Sequence, residues 1–154
     1  MRLRTSPAFV LMVACACCLP PLLAQDAKPR EAAPDDLKLL QGGWEMVAQE
    51  SEGMRLPASG RWVFKGSEVQ AGYTGADLRA MGTVKLDSSK RPKHLDLVGT
   101  EGRAKGEIIP GIFKFDKDGL IIGLGPRGTT ERPEDFVDPP GSNWTVLTFK
   151  RIKE

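Results

Sequence analysis

The sequence predicts an all-β fold, an eight-stranded antiparallel up-and-down barrel with a short N-terminal helix. Three observations point there. From Gly43 onward the apolar residues alternate with polar ones at the two-residue period of a half-buried strand, and helical periodicity is absent. Gly, Pro, Asp and Asn interrupt these runs every 8 to 15 residues or so. Eight consecutive short strands with short connections suit a meander, and closing it removes two edges that would otherwise invite aggregation. A sandwich is the alternative closure.

Composition bounds the rest. The chain has 154 residues, 40% of them apolar, with 22 Lys+Arg against 20 Asp+Glu. That is one globular domain and excludes collagen-like, coiled-coil and wholly disordered chains. Charge of both signs is mixed, and no run of five basic residues occurs, so the footprint of a nucleic-acid or anionic-membrane binder is missing.

The first residues form a targeting segment. Arg2 and Arg4 precede an apolar run over residues 8–23, and Ala24 then meets the polar stretch Gln25, Asp26, Lys28, Arg30 and Glu31. This is the pattern of a secretory signal peptide over 1–24. The run falls short of the roughly 20 residues that span a bilayer, and Pro20 and Pro21 break it, so no transmembrane helix is expected after signal removal. A retained anchor is the competing reading. Cleavage removes Arg2 and Arg4 but no acid, which brings the formal charge of +2 to zero. It also removes Cys15, Cys17 and Cys18, leaving no disulfide, thiolate nucleophile or cysteine-ligated metal. Met12-Val13-Ala14-Cys15 resembles a lipoprotein processing box, so anchoring through a lipidated Cys15 is an alternative to release into the periplasm or medium.

Residues 25–34 carry Ala, Pro and charge and read as a flexible leader to a domain over 35–154. Asp35 or Asp36 can cap a short helix through Leu37, Leu39 and Leu40, ended by Gly42 in a left-handed conformation. The expected strands span 44–50, 61–65, 68–73, 78–86, 93–98, 107–115, 120–124 and 144–152. In the first, Trp44, Met46 and Ala48 face inward. In the second, Trp62 and Phe64 do. The fourth has the cleanest alternation, with Leu78, Ala80, Gly82, Val84 and Leu86 inward against Arg79, Met81, Thr83, Lys85 and Asp87. The fifth turns Leu95 and Leu97 inward, and Pro110-Gly111 suggests a bulge or an edge in the sixth. Asp116-Lys117-Asp118-Gly119 marks a tight hairpin, and the last strand turns Leu147 and Phe149 inward after a Pro- and Gly-rich connection over 125–143.

The ordered series Leu40-Gln41-Gly42-Gly43-Trp44, Lys85-Leu86-Asp87, Pro92-Lys93-His94-Leu95-Asp96-Leu97, Gly111-Ile112-Phe113 and Glu131-Arg132-Pro133-Glu134-Asp135-Phe136 resembles a family of small exported, lipocalin-like proteins of planctomycetes, whose function is unassigned. The resemblance runs from about Leu37 to Arg151. It implies a barrel-closing structural pair, with Trp44 under the closed end and Arg151, which shares strand parity with Leu147 and Phe149, placing its guanidinium over the indole. The other signature segments and disulfides of true lipocalins are absent.

Candidate chemistry is sparse. His94 is the lone histidine, and Asp96 lies two residues along the same strand face, close enough to orient it, but no strained nucleophile elbow accompanies them. A solvated surface pair is the plainer reading. The Asp116 hairpin lacks the further ligands of a calcium loop, and the glycines over 123–128 lack a Walker lysine. Glu131, Glu134 and Asp135 surround Arg132, as an acid–base group or, more simply, as neutralising neighbours in a loop that Phe136 plugs into a barrel end.

No catalytic residue, metal site or cofactor is expected. The first functional expectation is a non-enzymatic barrel holding a small apolar molecule, in room left by Ala48, Ala80 and Gly82 beside Trp62. The alternative is a protein-interaction or envelope-structural module that meets an envelope partner through the 125–143 loop, with Arg132 and Phe136 as contacts.

Overall fold

The computed structural model describes residues 34–153 apart from Thr74 and Asp118. The expected signal segment, the leader as far as residue 33, and Cys15 lie outside the described residues. A short helix, α1 (Pro34–Leu40), precedes eight strands: β1 (Gly42–Ser51), β2 (Met54–Lys65), β3 (Glu68–Gly72), β4 (Arg79–Asp87), β5 (Lys93–Gly99), β6 (Ile108–Asp116), β7 (Gly119–Leu124) and β8 (Thr145–Arg151). Each strand pairs antiparallel with the next and β8 pairs back onto β1, so the sheet closes as an up-and-down barrel and not as a sandwich. No helix among the described residues is long and apolar enough to cross a membrane.

Helix α1 starts at Pro34, where a missing N–H costs no helical hydrogen bond. Both expected caps, Asp35 and Asp36, lie inside the helix, and Asp36 is buried. Its carboxylate accepts hydrogen bonds from Lys93 Nζ at 2.8 Å and from the Ser88 hydroxyl, which ties α1 to the start of β5. Gly42 takes φ +98°, letting the chain leave the helix and enter β1 at once. Strand β2 begins seven residues earlier than the pattern 61–65 suggests, because Glu52 and Gly53, both at positive φ, form a two-residue hairpin turn. Pro110 makes no bulge. It pairs with Asp96 on one side, lies beyond the last β6–β7 pair on the other, and its carbonyl accepts the Gly125 N–H at 2.8 Å.

Two irregularities decide which side chains reach the interior. In β1 the register slips around Val47, so that Met46 lies opposite Phe149 but Ala48 lies opposite Thr148. Paired residues share a face, so Ala48 leaves the inward row of Leu147 and Phe149. In β4 the slip places Gly82 opposite Val69 and Ala80 opposite Gln70. Ala80 is therefore outward and exposed, and Met81 packs against the core instead. Both placements correct the alternation expected from the sequence, since a bulge inverts parity without leaving a compositional mark.

Gly82 keeps its inward position but provides no room. A Cβ built on it would lie 2.2 Å from the Val98 carbonyl oxygen, so the glycine serves close backbone approach. We expect Gly82→Ala to destabilise the barrel by about 1–3 kcal/mol, read as a lower urea midpoint with little change in slope. A wild-type midpoint would mean that the β4–β5 ribbon relaxes freely.

Candidate functional site

The two ends of the barrel differ. At the end where β1 begins, Leu40, Trp44, Phe64, Val69, Phe113, Leu120 and Phe149 are almost wholly buried. Their rings interlock: Trp44 and Phe115 lie 6.2 Å apart, Phe113 and Phe115 5.8 Å, and Trp62 and Phe149 5.2 Å. Helix α1 covers this end. Trp44 Nε1 donates to the Leu40 carbonyl at 2.8 Å, satisfying the buried indole. Trp44 pairs with Arg151 across β1 and β8, and the guanidinium carbon lies 4.2 Å from the ring centre. The same guanidinium donates to the Gln41 carbonyl at 2.9 Å and to the Leu39 carbonyl, so one side chain joins the last strand, the first strand and the end of the helix.

The opposite end is looser. Met46, Ala71, Met81, Ile109 and Leu124 occupy inward positions there and are only half-buried. Around the rim stand Met54, Leu56, Tyr73 and Val137, which are 48% to 77% exposed, while Ile108, paired with Val98, is exposed on the outer face. We call this end the mouth. Between the ends of β3 and β4 it carries an open cleft of about 600 Å³, bordered by Ala71, Tyr73, Asp77 and Arg79.

The connection over 125–144 folds onto the outside of the barrel. Ile112, Gly123 and Val146 form an outward row across β6, β7 and β8, and Pro133 is buried against it, 3.6 Å from where a Gly123 Cβ would stand. Arg132 pairs with Asp96 on β5 at 2.7 Å and donates to the Gly111 carbonyl. Phe136 lies under Lys114, whose Nζ is 4.3 Å from the ring centre. Asp138 is buried, accepts the Gly53 N–H at 3.2 Å and binds the Ser142 hydroxyl, fastening the connection to the β1–β2 hairpin. These contacts correct two expectations: Arg132 is neutralised by a strand residue and not by its loop neighbours, and Phe136 covers the outer wall and does not plug a barrel end.

The sequence matches no family model, no curated protein and no solved structure. The site must therefore be judged on its own geometry. Of the residues expected to line a ligand space, Trp62 is inward but packed between Phe64 and Phe149, Ala48 and Ala80 are turned away, and Gly82 is filled by backbone. The structure does not bring these four together. The mouth is lined instead by Met46, Met81 and Ala71, of which Met81 was concealed by the β4 bulge. His94 lies beside the Arg132–Asp96 pair. Burial and the Arg132 charge hold its pKa below the usual histidine value against the pull of Asp87 and Asp96. Among the described residues no three His, Cys, Asp or Glu side chains converge as metal ligands.

The capped end generates two expectations. Replacing Arg151 by Met should lower stability by about 1–3 kcal/mol, since it leaves two helix-end carbonyls unpaired and the indole uncovered, and thermal unfolding will read it. Burial alone would raise the Asp36 pKa, but hydrogen bonds from Lys93 and Ser88 and the charges of Lys93 and Arg91 outweigh it and hold the carboxyl below its ordinary 3.8. A group depressed on folding stabilises above its unfolded value, and that contribution fades as pH falls through the folded one. Asp36→Asn should then melt below wild type at pH 7, with the gap narrowing as pH drops below about 3.8. Parallel melting curves across that window would exclude the linkage.

Proposed function

We propose that the protein is an exported, non-enzymatic, lipocalin-like barrel that takes up a small, largely apolar molecule through its mouth. The observation that carries this reading is the asymmetry of burial. One end is sealed by interlocked aromatics and α1, whereas the other leaves five inward apolar side chains half-buried and surrounds them with exposed ones. Soluble chains seldom leave exposed apolar groups gathered at one place unless something covers them.

Two of the five inward residues are methionines, unbranched and able to re-form around different shapes, so Met46 and Met81 suit a deformable wall. Trp62 supports them from below, its ring held by Phe64 and Phe149. A methyl from Met46 occupies the space beside Gly60, 2.7 Å from where a Cβ would stand. A ligand must displace that methyl, which its flexible stem permits.

Nile red titration tests the reading. Saturable fluorescence enhancement at one site per barrel is expected, weakened roughly tenfold or more by Met81→Arg with the melting temperature little changed. An absence of saturable binding, or identical binding by the variant, counts against a mouth site.

A further inference from the structure

Building on the mouth site, we infer that its ligand is a single-chain anionic amphiphile, a carboxylate whose head group is met by Arg79. The β3–β4 register carries the argument. Ala71 lies opposite Trp62 on one side and Arg79 on the other, and Ala71 packs against the core, so all three share the inward face. The same slip that expels Ala80 turns Met81 inward, two residues below Arg79. The strand thus presents a guanidinium at the rim and a thioether about 7 Å deeper. An apolar chain descending past Met81 leaves its polar end beside Arg79 and the exposed Tyr73, in the cleft that both border.

Arg61, opposite Glu45 and Gly72, faces outward, and Arg103 lies in the β5–β6 connection, so neither shares the inward face of Arg79; other guanidinium groups of this half are engaged. Arg55 pairs with Glu50 at 3.2 Å, Arg127 with Glu107 at 2.8 Å and Arg132 with Asp96 at 2.7 Å. Among the described residues Arg79 makes no ion pair, although Asp77 borders the same cleft. A guanidinium offers two parallel N–H donors that fit a carboxylate, which gives the pair directionality as well as charge complementarity. Asp77 opposes the ligand charge, so the preference rests on contact with Arg79 and not on a general positive field.

Competition against Nile red by decanoate, decanol and decyltrimethylammonium, each held below its aggregation concentration, tests the assignment. Decanoate should displace the dye at about tenfold lower concentration than decanol, with the ammonium weakest, and Arg79→Gln should abolish this order while retaining Nile red affinity and melting temperature. Equal competition by decanoate and decanol, with Nile red still bound, overturns the head-group assignment and leaves the apolar mouth standing. A carboxylate preference that survives in Arg79→Gln also overturns it. Failure of Nile red to bind removes both readings together.

Discussion

Closure of β8 onto β1 is the constraint on which the rest of the molecule depends. Without it, the meander would have two open edges and the aromatic cluster would have no wall on one side. The pairing is between distant parts of the chain, and such contacts return energy only after a long loop has been closed. The structure secures the seam at its capped end, where Arg151 stands opposite Trp44 and also reaches the carbonyls of Leu39 and Gln41. Helix, first strand and last strand meet in that one side chain. The lack of a disulfide among the described residues makes this convergence more consequential, since the seam is held by packing and hydrogen bonds alone.

The capped end was largely legible in the sequence, and the mouth was not. Regular alternation survives in β5 and in the ends of β1, β2 and β8 nearest the cap, so Trp44, Phe64, Leu95 and Phe149 could be assigned to the core from parity. Toward the mouth, β1, β2 and β4 each slip by a residue. A slip changes the facing of every residue beyond it. That is why Ala48, though buried, and Ala80 leave the inward row that simple alternation gives them, and why Met81 packs against the core and Arg79 shares its face at the rim. Gly82 failed differently: a missing side chain is compatible with a cavity or with close backbone, and only the position of the Val98 carbonyl distinguishes them.

The 125–144 connection shows a second limit of pattern reading. Ile112 and Val146 interrupt the polar outer face of their strands, which a single alternating core does not explain. Each is buried by a segment far along the chain, with Gly123 allowing Pro133 to approach the sheet. The outer wall over β6–β8 is therefore a small second core. Its polar anchors, the Arg132–Asp96 ion pair and the hydrogen bond from the Gly53 N–H to Asp138, hold the loop flat against the sheet. A loop held at both of these points is better suited to stiffen the wall and the β1–β2 hairpin than to reach out for a partner.

This stiffening bears on the mouth. The hairpin that Asp138 fastens carries Met54 and leads into Leu56, and Val137 stands beside the fastening itself, so part of the apolar rim is fixed to the second core. Among the described residues the β3–β4 side has no such strap: Tyr73 is its most exposed member, and the cleft beside it is open. Entry on the β3–β4 side leaves the β1–β8 seam undisturbed, because the strand order places that seam across the barrel from β4 and β5.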